Sequence, residues 1–233
     1  MKICVAQSES IKGACEENIQ RHLKMIKQAA KEEADLVVFP ELSITNYEPT
    51  IAAELAVTLD DPSLEVFQLY SNQYNIVIAI GMPLRAPNGI QIALFFFQPN
   101  QPRSSYAKQL LHEAEVPYFV NGNRFVYWSI KGEKIAFGIC YESLQPAHLL
   151  QAVEDQATVY VASVAKTAEG MKKARAYFSS RAAEYGIAIA LVNSVGVADT
   201  FVAGGNSAIW NNKGVLQAQL GTAVPGLVGV ALE

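Results

Sequence analysis

The stretch KIAFGICYE (Lys134–Glu142) joins an apolar run to a thiol, an aromatic ring and a carboxylate. Short apolar runs bounded by turn residues favour buried strands, so we expect a strand that ends at Cys140. Reactive groups in open α/β sheets gather at the carboxyl ends of strands. The stretch therefore raises the question of whether Cys140 fills the core or presents its thiol to a substrate.

Before this stretch, apolar runs alternate with segments of helical period. Ile19, Leu23, Ile26 and Ala30 fall on one face of a predicted helix over 16–34, and Pro62 suits the first turn of a second helix over 62–75. The predicted strands of this half are KICVAQ (2–7), DLVVFPEL (35–42), IVIAIGMPLR (76–85) and IQIALFFFQP (90–99). The last two are separated by APNG and predict a hairpin.

The second half repeats this pattern. RFVYWSI and KIAFGICYE flank KGE as another predicted hairpin, and Gly186 is expected to end the second of two helices, over 146–156 and 169–186. The remaining predicted strands are TVYVASVA (158–165), IAIALVNSVG (187–196), NSAIW (206–210), VLQAQL (215–220) and LVGVAL (227–232). Mixed hairpins and helical crossovers predict a layered α/β architecture. No linker interrupts the pattern, so residues 1–233 are predicted to form a single domain.

The composition indicates which binding partners and which cellular compartment to expect. With 51% hydrophobic residues, 17% charged residues and a net charge of −4, the chain is typical of a soluble globular protein without the basic field that favours nucleic acid or anionic membranes. Neither a signal-peptide core nor a membrane span is expected. Cys4, Cys15 and Cys140 are odd in number and widely spaced, which argues against disulfides and zinc. We therefore expect a cytoplasmic protein with a small-molecule substrate and no metal.

Three predicted segments carry side chains suited to chemistry: Glu41 follows Pro40, Lys108 lies in SSYAKQLL, and Cys140 ends its strand. Singly, each has an ordinary structural interpretation, since free cysteine is often buried and a lone lysine or glutamate is commonly a solvated charge. Together they are coherent, because a glutamate can take the thiol proton and an ammonium can stabilise an oxyanion. The set predicts acyl transfer without metal or cofactor.

Two alternatives remain open. A cysteine–histidine hydrolase would use His22, His112 or His148, of which His22 is predicted on the polar side of the first helix and His112 is the best placed to line a pocket. A non-catalytic binding or scaffold protein would retain the fold without the chemistry.

The segments FPEL, YAKQLLHEAE and GICYES resemble, in order, the glutamate, lysine and cysteine motifs of the nitrilase superfamily of carbon-nitrogen hydrolases. The resemblance extends from KICVAQ to VAGGNSAIWNNKG and is closest to the amidase-like branch. It implies a four-layer α-β-β-α sandwich and a catalytic triad of Glu41, Lys108 and Cys140. It also implies a second glutamate, for which Glu115 is the better match and Glu113 the reserve, and a homodimer or larger homo-oligomer.

The activity implied by this resemblance is hydrolysis of a non-peptide C–N bond in a small linear amide or N-carbamoyl compound through a cysteine thioester. Nitrile hydrolysis and acyl transfer are alternatives on the same scaffold. Many relatives follow the cysteine with Tyr-Asp and a nearby arginine, whereas this chain has Glu142 and no arginine there, so the substrate does not follow from the motif.

Substrate contacts are expected from side chains near the predicted strand ends, although such residues are as often packed within loops. Lys166 would pair a substrate carboxylate or would be a solvated loop charge. The candidate substrate-binding residues are Tyr47, Tyr118, Tyr141, Ser163, Lys166 and Asn193.

Overall fold

The computed structural model describes residues 1–232 and contains five α-helices and fourteen strands within that range. The helices are α1 (Cys15–Lys31), α2 (Ala52–Leu55), α3 (Glu65–Tyr74), α4 (Pro146–Glu154) and α5 (Ala168–Tyr185). The strands of the first half are β1 (Lys2–Gln7), β2 (Leu36–Val38), β3 (Val77–Ala86), β4 (Gly89–Phe97) and β5 (Ser104–Ala107). Those of the second half are β6 (Tyr127–Ile130), β7 (Glu133–Ile139), β8 (Val159–Val164), β9 (Ala188–Asn193), β10 (Val195–Ala198), β11 (Phe201–Gly204), β12 (Ala208–Trp210), β13 (Leu216–Gln219) and β14 (Gly226–Ala231).

The strands form two six-stranded sheets and one short hairpin. The first sheet has the order β14-β1-β2-β3-β4-β5 and the second has the order β13-β12-β9-β8-β7-β6, while β10 and β11 pair separately. In each large sheet three central strands are parallel, β1-β2-β3 and β7-β8-β9, and the outer strands are antiparallel to their neighbours. Both predicted hairpins, β3–β4 and β6–β7, are confirmed.

Three apolar cores hold these elements together. One core lies between the two sheets and includes Val38, Phe96 and Phe137. A second core joins the first sheet to α1 and α3, and a third joins the second sheet to α4 and α5. Sheets that are apolar on both faces must be covered on both faces, so helices form the two outer layers. The predicted four-layer α-β-β-α sandwich is therefore confirmed.

Element ends differ from the sequence prediction where the backbone turns sharply. Helix α1 stops at Lys31 rather than continuing to residue 34, because Glu33 has a left-handed backbone with φ +58°. Helix α5 ends at Gly186, as predicted, with φ +64° at that glycine. Strand β2 is only three residues long, because the chain leaves the sheet before Pro40.

No helix within residues 1–232 is both long and apolar enough to cross a membrane.

Candidate active site

The predicted reactive residues meet at one edge of the sandwich. Strands β2 and β5 run in the same direction in the first sheet, so Glu41 and Lys108 follow strand ends on the same edge. Cys140 follows β7 in the second sheet. The site is thus built from both sheets, with the two charged groups on one and the thiol on the other.

The loop that carries Glu41 packs directly against β3. A Cβ atom at Gly81 would lie 2.2 Å from the Pro40 carbonyl oxygen, so only glycine permits this approach. The Ile44 N–H donates to the Gly81 carbonyl at 3.0 Å, and Leu42 has φ +51°. This tight turn directs the Glu41 side chain into the interior, where it is 2% exposed.

Helix α1 supports that loop through His22. The His22 ring stacks on Phe39 with centroids 4.1 Å apart, and its Nδ1 donates to the Asn18 carbonyl at 2.7 Å. Nε2 therefore accepts from the Ser43 hydroxyl at 2.9 Å. The side chain is fully buried, so the expectation that His22 lies on the polar side of α1 is wrong.

The Lys108 ammonium lies between two carboxylates. Its Nζ donates to Glu41 Oε1 and to Glu115 Oε1, each at 2.7 Å, and all three side chains are buried. The backbone of Lys108 is fixed because its N–H donates to Ile92 and its carbonyl accepts from Gly122. A buried ammonium needs such partners, since its desolvation is otherwise costly.

Glu115 is further held by two neighbours. Its Oε1 also accepts from the Tyr47 hydroxyl at 3.0 Å, and its Oε2 accepts from the His112 N–H at 2.8 Å. Glu113 is exposed. The structure therefore brings Glu115, and not the reserve Glu113, to Lys108.

Cys140 occupies a sharp turn between β7 and the next helical segment. Its backbone is left-handed, with φ +49°, a conformation that costs a non-glycine residue about 1–3 kcal/mol. Its N–H donates to the Ser163 carbonyl at 2.9 Å, and its Sγ lies 3.8 Å from the Ala165 carbonyl oxygen. The N–H of Tyr141 donates to no acceptor within residues 1–232 and is left available beside the sulfur.

The electrostatics of the site keep the thiol protonated at rest. Burial raises the pKa of Cys140, and the Glu41 charge raises it further, whereas Lys166 and Lys108 lower it. Burial also raises the pKa of Glu41, opposed first by Lys108 and reinforced by Glu115. Burial alone would lower the pKa of Lys108, but the surrounding negative charges raise it, so the ammonium persists. A base is therefore needed to generate the thiolate.

Glu41 has an atom available for that task. Its Oε1 is bound by Lys108, while its Oε2 is buried and has no hydrogen-bond partner within residues 1–232. Unpartnered buried carboxylate oxygens are rare in structural roles. The Cys140 thiol lies near enough to this carboxylate to lower the Glu41 pKa, although this effect is smaller than those of burial, Lys108 and Glu115.

None of the three histidines replaces Glu41 as a partner of the thiol. His22 and His148 use both ring nitrogens on other groups, and His112 is exposed with its Nδ1 accepting from the Ala114 N–H at 3.3 Å. Within residues 1–232 no imidazole is hydrogen-bonded to Cys140. The geometry thus favours the glutamate over the cysteine–histidine alternative.

The three predicted substrate-binding tyrosines lie around His112. Tyr47 and Tyr118 line a cleft of about 380 Å³ together with His112 and Phe201. Tyr141 is partly exposed, and its ring meets the His112 ring edge-on at 5.4 Å. The sequence-based suggestion that His112 lines a pocket is thus confirmed by its position.

Ser163 and Asn193 have partners inside the protein. The Ser163 hydroxyl donates to the Phe39 carbonyl at 2.9 Å. The Asn193 amide accepts from the Lys166 N–H and donates to the carbonyls of Lys166 and Gly205. Both side chains are fully buried, so their polar atoms are committed to the framework of the site.

Lys166 follows Ala165, whose carbonyl faces the Cys140 sulfur. Its backbone is clamped by Asn193, and its side chain is half-buried. The ammonium makes no ion pair within residues 1–232, yet it lies close enough to lower the pKa of Cys140. Lys166 is thus an unpaired positive charge beside the thiol.

Sequence reasoning missed a buried polar network behind the cysteine. Glu142, Tyr106 and His148 are hydrogen-bonded to one another in the interior. The signal available in the sequence was Glu142 itself, a carboxylate two residues after Cys140.

The sandwich and its buried Glu41–Lys108–Glu115 cluster beside a cysteine define the nitrilase class of proteins. The sequence model of the carbon-nitrogen hydrolase family matches residues 2–233, and the chain belongs to that family.

Its sequence relatives include glutamine-dependent NAD(+) synthetases. The glutamine-dependent NAD(+) synthetase of Xylella fastidiosa is 29% identical over 224 residues, which are 92% of this chain and 41% of that protein. That of Aquifex aeolicus is 23% identical over 242 residues, which are 100% of this chain and 42% of that protein. The chain thus spans about two fifths of the length of these relatives.

Among solved structures, the NitN amidase of Nesterenkonia sp. AN1 superposes with a TM-score of 0.91 at 22% identity, covering 100% of this chain and 93% of that one. A cysteine variant of the same amidase in complex with butyramide gives a TM-score of 0.89, also at 22% identity, over 99% and 90% of the two chains. These similarities establish a shared fold.

Proposed function

We propose that this protein hydrolyses the C–N bond of a small linear amide or N-carbamoyl compound through a thioester on Cys140. The observation that carries the proposal is the buried Glu41 carboxylate near a protonated thiol: Lys108 binds its Oε1, and its Oε2 has no hydrogen-bond partner within residues 1–232. A carboxylate with a free oxygen can act as a general base, and Glu41 thereby completes the set of base, ammonium and thiol.

The proposed reaction has two halves. Glu41 accepts the Cys140 proton, the sulfur bonds to the carbonyl carbon, and the Lys108 ammonium and Tyr141 N–H stabilise the oxyanion. Glu41 then protonates the departing nitrogen as the C–N bond breaks. Glu41 next takes a proton from water, the hydroxide attacks the thioester, and the carboxylic acid leaves as the thiol is re-protonated. Glu115 keeps Lys108 in place throughout.

The unpaired Lys166 charge near the thiol supports a narrower class of amide. We propose that Lys166 pairs with a carboxylate on the substrate, while Tyr47, Tyr118 and Tyr141 line its path to the sulfur. Glutamine is a linear carboxamide that carries such a carboxylate, and the sequence relatives are named as glutamine-dependent. Glutamine and N-carbamoyl amino acids are therefore the first substrates to test.

The decisive experiment incubates the protein with a panel of carboxamides, N-carbamoyl amino acids and nitriles, and then identifies adducts on Cys140 by peptide mass spectrometry. We expect an acyl mass on Cys140 and release of ammonia from an amide, with both lost in Cys140→Ala. Full hydrolysis by a folded Cys140→Ala variant would overturn the proposal. Turnover of nitriles alone would favour nitrile hydrolysis, and an adduct resolved only by an added amine would favour acyl transfer.

We also propose that the chain assembles at least as a homodimer through its helical layers. Leu69 on α3 is 56% exposed and Leu150 on α4 is 40% exposed, which leaves apolar side chains on both outer layers. Light scattering after size-exclusion chromatography tests this. A monomer at tens of micromolar would contradict it.

A further inference from the structure

The Glu142 carboxylate binds main-chain groups from two separate segments. Its Oε1 accepts from the Ile139 N–H at 2.8 Å. Its Oε2 accepts from two consecutive N–H groups, those of Gln109 at 2.6 Å and Leu110 at 3.1 Å. The side chain is 0% exposed, so no solvent competes for these donors. One carboxylate therefore connects the end of β7 to the end of β5.

These donors are direct neighbours of the reactive residues. Ile139 precedes Cys140, and Gln109 follows Lys108. Because β5 belongs to the first sheet and β7 to the second, the bridge spans the interface between the sheets. We propose that Glu142 is a positioning residue that fixes the distance between the Cys140 thiol and the Lys108 ammonium.

The backbone contacts of the reactive residues do not supply this connection. The Lys108 N–H and carbonyl bind Ile92 and Gly122, which lie on the same side of the interface, and the Cys140 N–H binds Ser163 on the neighbouring strand of its own sheet. Each residue is thus fixed within its own half of the site. Glu142 fixes one half relative to the other.

A hydrogen-bonded chain behind Glu142 keeps its carboxylate in place. The Tyr106 hydroxyl donates to Glu142 Oε1 at 2.7 Å, and its oxygen lies 2.9 Å from His148 Nε2. The Tyr106 oxygen therefore accepts the His148 Nε2–H, and His148 Nδ1 accepts from the Tyr160 hydroxyl at 2.8 Å. His148 also faces the carboxylate, with Nε2 3.7 Å from Oε2. Every oxygen of Glu142 is occupied by donors, so this residue holds the framework and does not reach the substrate.

The ionisation of these groups suits that role. Burial lowers the pKa of His148 to about 4, so the imidazole stays neutral and keeps one donor for Tyr106. Burial raises the pKa of Glu142 to about 7, and the four donated hydrogen bonds oppose this rise. Above that pH the ionised carboxylate accepts all four bonds.

The test compares Glu142→Gln and Glu142→Asp with wild type in the full chain. A glutamine NH₂ group cannot accept from Gln109 and Leu110, so one side of the bridge is lost. We expect the kcat for amide hydrolysis to fall about 100-fold with KM changed less than threefold, because small misplacements of reacting groups have effects of this size. Aspartate keeps the charge and should restore part of the rate.

A second readout does not require a substrate. The pH profile of Cys140 alkylation by iodoacetamide, followed by peptide mass spectrometry, should shift in Glu142→Gln because the charges around the thiol move. The kinetic part of the test rests on the proposed amide hydrolysis, whereas the alkylation profile does not. A failure of the proposed hydrolysis can therefore be distinguished from a failure of the positioning role of Glu142. Asp155→Asn is the matched control, since Asp155 also accepts from a tyrosine hydroxyl, that of Tyr127, at the far end of α4. It should leave kcat and the Cys140 profile unchanged.

A folded Glu142→Gln protein with wild-type kcat and a wild-type alkylation profile would overturn the inference. If that variant does not fold, Tyr106→Phe removes one of the four donors to Glu142, together with the acceptor of the His148 Nε2–H, and leaves the carboxylate in place. We then expect a smaller change of the same kind in kcat and in the alkylation profile. Unchanged values in folded Tyr106→Phe would equally overturn it.

Discussion

The Ser163 hydroxyl donates to the Phe39 carbonyl at 2.9 Å, while the Ser163 carbonyl accepts from the Cys140 N–H. Phe39 lies two residues before Glu41 in the first sheet, and Ser163 lies on β8 in the second. This single residue therefore links the strand of the proposed base to the strand of the proposed nucleophile. It complements Glu142, which links the nucleophile to Lys108.

Replacing Ser163 by alanine should weaken both the fold and the reaction. The variant leaves the buried Phe39 carbonyl without this donor, and we expect a loss of about 1–3 kcal/mol in the free energy of unfolding with a lower kcat. Urea denaturation and amide kinetics measure the two effects. Ser8→Ala is the matched control, because the Ser8 hydroxyl is buried and has no partner within residues 1–232. Equal losses in the two variants would contradict the assigned role of Ser163.

Glu41→Gln should slow thioester formation and lower the pKa of the Cys140 thiol. Loss of a general base typically lowers kcat by about 10²- to 10⁴-fold. The Glu41 charge raises the pKa of Cys140, so its removal should shift the alkylation profile of Cys140 to lower pH. Peptide mass spectrometry after iodoacetamide treatment at several pH values measures the shift. A shift to higher pH would be inconsistent with the proposed proton transfer.

Lys166→Met should reduce selectivity for substrates that carry a carboxylate. We expect a rise in KM of about tenfold for a carboxylate-bearing amide and little change for an uncharged amide of equal length, as expected for loss of a charged hydrogen bond. Because Lys166 lowers the pKa of Cys140, the alkylation profile should also move to higher pH. Lys172→Met, on the exposed side of α5, is the control. Identical selectivity in the wild type and Lys166→Met would refute carboxylate recognition.

His22 should make the protein sensitive to acid. Burial lowers its pKa to about 4 in the folded state, whereas the unfolded chain protonates near 6.5. The stability that depends on neutral His22 is thus present above about pH 6.5 and is lost as the pH falls toward 4.

The variant His22→Gln isolates this effect from those of other groups. The variant is expected to have a lower free energy of unfolding than wild type at pH 7, because the hydrogen bonds and ring stacking of His22 are lost. The deficit in unfolding free energy should shrink as the pH falls from 6.5 to 4, which urea titrations at three pH values can follow. A deficit that stays constant or grows would show that His22 is not held neutral.

The location of Glu41 and Cys140 was predictable because each follows an apolar run, whereas Lys108 lies in the mixed apolar and polar segment SSYAKQLL. Apolar runs of that kind become strands, and parallel strands bring their carboxyl ends to one edge. The second glutamate was implied by the family resemblance, which favoured Glu115 and left Glu113 as the reserve. Only the short helical turn over Glu113–Glu115, which buries Glu115 and exposes Glu113, separates the two.

The network around Glu142 could not be predicted in the same way. Its partners Tyr106, Gln109 and Leu110 lie 36, 33 and 32 residues away along the chain. Two of these contacts use backbone N–H groups, which leave no mark in the pattern of side chains. The hydrogen bond of Ser163 was equally hidden from the sequence, because its partner is a carbonyl 124 residues away.

His22 shows how polarity misleads a periodic analysis. It lies three residues after Ile19 and four before Ile26, and therefore on the buried face of α1. Its ring is polar, so the sequence suggested the opposite face. The hydrogen bonds to Asn18 and Ser43 and the stacking on Phe39 make its burial favourable.

The division of the site between two sheets separates the proposed chemistry along the chain. Residues 1–122 carry Glu41, Lys108 and Glu115, and residues 123–232 carry Cys140. Neither portion holds both the proposed base, Glu41, and the proposed nucleophile, Cys140, so turnover would begin only when the portions have docked. A chain whose halves are misaligned would therefore carry every proposed reactive group and still be inert.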